Sequence, residues 1–203
     1  MSSIYGAFEP RLSYVMTRIQ TELESYEQLR FAETGDHVYE HLTARIKSDE
    51  SMREKCRRKG LPETAYSALH EMQDAIGIRI ICAFRDDIYG ILEHIRSLPG
   101  FIVVEEKDYI RHAKSNGYRS YHLILAAETA FEDVEGNVPG HFFVEVQLRT
   151  IAMDSWASLE HKMKYKKDVK NQALIEAELK RCADELAACD VSMETIRNLI
   201  RNS

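Results

Sequence analysis

Residues 77–84, GIRIICAF, constrain the fold more than any other stretch of this chain. A short, almost unbroken apolar run rich in Ile and bounded by polar residues reads as a central strand buried on both faces, which requires helices packed on the sheet. Arg79 is the one charged residue inside it. Asp86 and Asp87 then open a helix through Ile88, Ile91, Leu92 and Ile95 that Leu98-Pro99-Gly100 closes, and residues 101–104 resume as a strand, so the helix is a crossover. Residues 121–127 and 141–148 read as two further strands, antiparallel, with Glu135-Gly136-Asn137 as the turn signal between them.

Helices flank this sheet on both sides in sequence. From Pro10 to Phe31, apolar residues Leu12, Val15, Met16, Ile19, Leu23, Tyr26 and Leu29 recur at three- and four-residue spacing, which predicts an amphipathic helix stopping near Thr34-Gly35. Ser48 is placed to cap a second helix along Met52, Lys55, Cys56 and Lys59, ended by Gly60. A helix starting at Thr150 or Ser155 carries Trp156, and Asn171 opens a last one whose stripe is Leu174, Leu179, Leu186, Ile196 and Leu199. The fold class expected is α/β, a mixed sheet with helical extensions at both ends: one domain over residues 1–203, with a core at about 40–168 and extensions 1–39 and 169–203.

Composition excludes several classes. Of 203 residues, 30% are charged and no apolar run approaches the ~18 residues of a membrane span. The first ten residues lack a basic and then apolar leader, so a cytoplasmic location is expected. Cys56, Cys82, Cys182 and Cys189 form no C-x-x-C pair, which argues for reduced thiols rather than a disulfide framework or zinc knuckle. A net charge of -6 argues against a DNA binder. Yet residues 45–59 hold seven basic side chains against three acidic ones, a local patch suited to a compact polyanion such as a nucleotide.

No P-loop or G-x-G-x-x-G string is present, so phosphates have to be held by side chains. Arg45 and Lys47 on the entry to the second helix, and Ser51, Lys55 and Arg58 on one face of it, can converge on a triphosphate; a solvated helix face is the competing reading. Glu145, set among apolar residues in HFFVEVQLR, is costly to bury unpaired. With Asp74, just before the Ile-rich strand, it could form a Mg2+ site, because this hard cation prefers oxygen ligands. A buried ion pair of Glu145 with Arg149 or Arg79 is the alternative. In KSNGYRSYH, Tyr118 sits beside an Asn-Gly turn with Lys114 and His122 nearby, a place for a base to stack or simply a packed tyrosine.

Taken together, ARIKSDESMREKCRRKG, QDAIGIRIICAFRDDIY, KDYIRHAKSNGYRSYH and EVQLRTIAMDSWASLEHKMKYK resemble, in this order, the synthetase domain of the RelA/SpoT-type alarmone synthetases, and more closely the small stand-alone ones. The resemblance implies a nucleotidyltransferase-like α/β fold and GTP pyrophosphokinase activity: pyrophosphate passes from ATP to the 3'-hydroxyl of GDP or GTP, with Mg2+ as cofactor. A catalytically weak nucleotide- or RNA-binding regulator on the same fold is the alternative. By resemblance, Arg45 and Arg79 sandwich adenine, Lys47, Ser51, Lys55 and Arg58 hold the ATP phosphates, and Asp74 and Glu145 are the metal carboxylates, Glu145 also orienting or deprotonating the 3'-hydroxyl. Tyr118 stacks on guanine, Lys107, Lys114, His122 and Gln147 surround the acceptor phosphates and ribose, and Asp154 and Glu160 lie on the guanine side. No His-Asp dipeptide occurs, so the hydrolase half of the long members is not expected. Glu105-Glu106-Lys107-Asp108 mixes the basic and acidic versions of its loop and does not decide between GDP and GTP. The implied partners are ATP and the guanine nucleotide, together with copies of the chain itself in a homo-oligomer, a tetramer; RNA has no support in the sequence. Glu22, Glu24, Glu27 and His41 crowd the region where some small synthetases bind an alarmone, so activation by pppGpp is not expected.

Overall fold

The computed structural model describes residues 3–164 and 171–202. The expected boundary between core and C-terminal extension, at 168/169, lies outside the described residues, as do the last two residues of the fourth string, Tyr165 and Lys166. Chain order runs α1 (Glu9–Thr34), β1 (His41–Ile46), α2 (Asp49–Lys59), β2 (Ile76–Cys82), α3 (Arg85–Ser97), β3 (Phe101–Asp108), β4 (Tyr121–Thr129), β5 (Gly140–Thr150), α4 (Ile151–Lys164) and α5 (Gln172–Arg201). The five strands form one sheet ordered β1-β2-β5-β4-β3. β2 and β5 are parallel, whereas β1–β2, β4–β5 and β3–β4 are antiparallel, so the sheet is mixed as expected.

The Ile-rich strand is interior but not central; β5 holds the middle. Only half of β2 is covered on both faces. Ile76, Ile78 and Ile80 point into the core, Ile81 and Cys82 are buried as well, and Gly77 and Arg79 remain half-exposed on the other face. That uncovered half becomes the floor of a cleft. α3 carries the chain from β2 across to β3 at the far edge, a true crossover, with Ile88, Ile91, Leu92 and Ile95 buried against the sheet.

The terminal helices pack unequally. α1 buries Leu12, Val15, Ile19 and Leu23 and stops at Gly35, whose φ of 73° is the left-handed geometry that ends helices. Leu29, placed on the same face by the spacing, is exposed. Ser48 caps α2 by accepting from Ser51 N at 3.3 Å, and Gly60 closes it. Asn171 precedes α5 in a left-handed conformation and makes no side-chain cap. On α5, Leu179 and Leu186 are half-buried, but Leu174 and Ile196 are 60% and 51% exposed and Leu199 is exposed too, so the stripe seats only part of the helix. What anchors α5 is mostly polar: Asp190 accepts from Thr150 Oγ1 at 2.6 Å, Glu194 binds Arg85 at 2.7 Å, and Trp156 Nε1 donates to Leu179 O. All four cysteines are free. No helix among the described residues is long and apolar enough to cross a membrane.

Candidate active site

The parallel pairing of β2 and β5 sets Gly77 opposite Glu145 and Arg79 opposite Gln147. The antiparallel pairing of β5 and β4 sets His122 opposite Gln147, and β3 brings Lys107 opposite His122. Strand alternation puts Glu145, Gln147 and Arg149 on the face of β5 away from the core. A cleft of about 280 Å³ opens over this face, lined by Thr43, Arg45, Gly77, Arg79, Glu145 and Gln147 among others. A smaller hollow of about 40 Å³ adjoins Glu105, Lys107, His122 and Glu145.

At the β2 end, Lys47 and Lys55 both reach Asp74 Oδ2, Lys55 at 2.6 Å. Burial pushes the Asp74 carboxyl up, but the two lysine hydrogen bonds outweigh it and hold the group below the usual carboxylate range. Asp74 Oδ1 is buried with no hydrogen-bond partner among the described residues. Glu145, one residue past the start of the β2 pairing, faces His122 Nδ1 at 3.5 Å and neither Arg79 nor Arg149, so the alternative ion pairs are not formed. Its carboxyl is raised by burial and lowered by hydrogen bonds from His122 and Gln147; the charge on Asp74 raises it again, and the balance lies below its ordinary value. Among the described residues no group of three or more His, Cys, Asp and Glu side chains could hold a metal ion. An orphaned Asp74 oxygen beside a second carboxylate nevertheless fits a hard divalent cation that takes its other ligands from phosphates and water.

At the β4 end, the loop between β3 and β4 closes with Lys114 N to Tyr118 O at 3.1 Å and Gly117 N to Lys114 O at 2.8 Å. Lys114 Nζ sits over the rings of Tyr109 and Tyr118, at 4.5 and 4.9 Å. Tyr118 is half-buried; its hydroxyl lies 2.8 Å from both His122 Nε2 and Arg149 Nη2. Asp154 Oδ1 takes Arg149 Nη1 at 2.9 Å and Arg79 Nη1 at 3.8 Å, and Glu160 accepts from Asn116 Nδ2 at 3.1 Å. Burial and the neighbouring Arg149 charge push the Arg79 guanidinium down from its ordinary value.

Residues 44–170 match the family model described as a region found in RelA / SpoT proteins. This chain belongs to the RelA/SpoT family. It is 35% identical over 188 residues to GTP pyrophosphokinase YjbM of Bacillus subtilis, covering 91% of this chain and 84% of that protein. It is 39% identical over 165 residues to GTP pyrophosphokinase YwaC of the same organism, covering 80% and 76%. The structure of small alarmone synthetase 1 from Bacillus subtilis bound to its product pppGpp superposes with a TM-score of 0.79 at 33% identity over 95% of each chain. The same enzyme bound to AMPCPP gives 0.74 at 30% identity over 97% and 96%.

Within this RelA/SpoT chain the sequence-predicted residues fall into connected groups. Arg45, Arg79, Glu145 and Gln147 share the cleft; Lys47, Lys55 and Asp74 form one ionic cluster; Lys107, His122 and Glu145 share the hollow; and Tyr118, His122 and Arg149 are hydrogen-bonded together. Ser51 receives a hydrogen bond from Ser48 Oγ at 2.8 Å, and Arg58 is exposed on α2. Asp154 and Glu160, both on α4, are engaged by arginine and asparagine. Sequence reasoning named Arg149 only as a possible ion-pair partner of Glu145 and missed Tyr109 and Asn116 as parts of this network. For Arg149 a signal existed, since it continues the period of two set by Glu145 and Gln147.

Proposed function

We propose that this chain is a GTP pyrophosphokinase that transfers pyrophosphate from ATP to the 3'-hydroxyl of GDP or GTP, releasing AMP and forming ppGpp or pppGpp. What supports this most is one observation: Glu145 is shared by the cleft that holds Arg45, Arg79 and Gln147 and the hollow that holds Lys107 and His122, and the charge of Asp74, which pairs with Lys47 and Lys55, acts on it. Donor cations and an acceptor platform thus meet at Glu145. The relatives' activity and their pppGpp and AMPCPP complexes agree with it.

In this reading Arg45 and Arg79 hold the adenine by cation–π stacking, and Lys47, Ser51, Lys55 and Arg58 take the phosphates. Tyr118 stacks on guanine, Asp154 and Glu160 stand on its guanine side, and Lys107, Lys114, His122 and Gln147 fix the acceptor ribose and phosphates. Glu145, kept ionised by its hydrogen bonds, accepts the 3'-hydroxyl proton while the ribose oxygen bonds to the β-phosphorus. The bond from β-phosphorus to the bridging oxygen breaks, and AMP leaves with its electron pair. Asp74 and Glu145 would hold a divalent ion, Mg2+, which supplies charge neutralisation for the phosphates when bound. Residues 1–203 act as one cytoplasmic synthetase domain with a core at about 40–168. It assembles as a homotetramer through terminal helices, because α5 leaves Leu174, Ile196 and Ile200 open to solvent.

Thin-layer separation of products from labelled ATP with GDP or GTP tests the reaction. Label recovered in a guanosine tetra- or pentaphosphate is the expected result. Nucleotide binding without transfer would instead establish the regulator reading.

A further inference from the structure

Arg149 is buried, its side chain only 7% exposed, and it belongs to no role assigned above. Charge balance explains only one of its branches: Nη1 donates to Asp154 Oδ1 at 2.9 Å. Nη2 turns the other way and uses both of its hydrogens, donating to Tyr118 Oη at 2.8 Å and to Gln147 Oε1 at 3.2 Å. A guanidinium has donors and no acceptor, so the direction of each of these bonds is fixed.

The consequences pass along two short routes to the same carboxylate. Tyr118 Oη accepts from Arg149, which can take no proton in return, so among the described residues His122 Nε2, at 2.8 Å, is the one acceptor in reach of the hydroxyl proton. Nε2 is then an acceptor and carries no proton. A neutral imidazole in that state holds its proton on Nδ1, the nitrogen that faces Glu145 Oε1 at 3.5 Å. By the second route, Arg149 occupies Gln147 Oε1 at 3.2 Å, which leaves the amide nitrogen of Gln147 as the end available to Glu145, two residues away on the same face of β5.

We propose that Arg149 is a positioning residue that selects the Nδ1–H tautomer of His122 and the orientation of the Gln147 amide, so that both side chains present N–H groups to Glu145. The proposal rests on the pyrophosphokinase reading only in taking Glu145 as the acceptor of the 3'-hydroxyl proton. Two donors aimed at Glu145 fix the orientation of its carboxylate; either group turned the wrong way would present a lone pair to it and repel it. Because one nitrogen of the fork serves Asp154 and another serves Tyr118 and Gln147, lysine, whose three donors all sit on one nitrogen, does not reproduce it.

The test reads the proton itself. Long-range proton–nitrogen NMR of the full chain, labelled in its imidazole nitrogens and held at about pH 8 where neutral histidine dominates, reports each tautomer. The His122 signal is identified by its loss in His122→Gln. His122 should carry its proton on Nδ1 in the parent protein and shift to Nε2–H, or a mixture, in Arg149→Lys and in Tyr118→Phe. Tyr118→Phe keeps the ring and its packing, so it serves if Arg149→Lys does not fold. His122 protonated on Nε2 in the parent, or still on Nδ1 in Tyr118→Phe, overturns the proposal. In kinetics, Tyr118→Phe should lower kcat about tenfold with the guanine nucleotide KM unchanged, and adding Arg149→Lys should cost little more. Unchanged kcat beside a shifted tautomer removes the positioning role. A parent protein with the Nδ1–H tautomer and no transfer activity sinks the pyrophosphokinase reading alone.

Discussion

Lys55 Nζ lies 2.6 Å from Asp74 Oδ2, and Lys47 reaches the same oxygen from the end of β1. One carboxylate oxygen thus holds the two cations proposed for the ATP phosphates, while Asp74 Oδ1 has no hydrogen-bond partner among the described residues. Replacing Asp74 by Asn leaves both lysines for ATP but removes the charge, so ATP binding survives and turnover falls at least about 100-fold, with no recovery on raising GTP. Glu145→Gln keeps the shape of β5 and loses the proton acceptor, with the same outcome. Steady-state rates and a thermal melt check both; near-normal turnover in either variant would overturn the assignment.

The Tyr118 ring is the expected guanine platform. Stacking of a base on an aromatic is worth roughly 1 to 3 kcal/mol, so Tyr118→Ala should raise the acceptor KM or lower turnover by about tenfold or more, with the ATP KM little changed. Equal weakening of both substrates would assign Tyr118 to packing.

Gly117 lies where the same loop meets α5. Its φ is 91°, and a Cβ added there would stand 2.6 Å from Ala183 Cβ and 3.4 Å from the Lys180 backbone. Gly117→Ala should therefore cost about 1–3 kcal/mol of stability and move the loop off α5, raising the acceptor KM more than the ATP KM. Denaturant midpoints and the two KM values together decide it.

Asp190, on the buried side of α5, accepts from Thr150 Oγ1, and burial raises its carboxyl above the ordinary value in spite of that hydrogen bond and the Arg85 charge. An acid whose folded value lies above its unfolded one, about 3.9, stabilises the fold below that value. The contribution is lost as pH rises through the folded value. Asp190→Asn removes the cost of the buried charge, so the variant should melt no lower than the parent at pH 7. Its advantage should shrink as pH falls toward about 4. Melting curves across this window would expose the opposite trend.

Assembly and regulation are read in solution. Light scattering should give a stable oligomer of four copies, and a stable monomer would refute it. Along α1, Gln20, Glu22, Glu24 and Glu27 offer no cation to a polyanion, so micromolar pppGpp should leave the initial rate unchanged. A several-fold rise would show an activating site.

The periods of three to four and of two made most of the architecture legible, from the buried stripe of α1 to the antiparallel β4–β5 pair. What the sequence hid was mostly polar. β3 was expected to end at Val104 but continues to Asp108, because Glu105, Glu106 and Lys107 are kept in the strand by β4 pairing rather than by an apolar face. The π-helical turn Ser67–Glu71 that leads into Asp74 has no compositional mark. Position in the sheet was also invisible: β2 is more apolar than β5, yet β5 is central, because order depends on which strands meet and not on how apolar each one is. At the site, residue types carried the resemblance, whereas the partners of Arg149 and Asp154 depend on side chains brought from three separate elements.

The slip between Val103 and Glu105 has a bearing on solubility. β3 is an edge strand with Ile102 and Val104 exposed, a combination that invites a foreign strand to add on. The extra residue at Val104 breaks the regular spacing of free backbone groups, and the charges of Glu105, Glu106 and Lys107 follow at once. That margin is a poor template for fibril-like stacking.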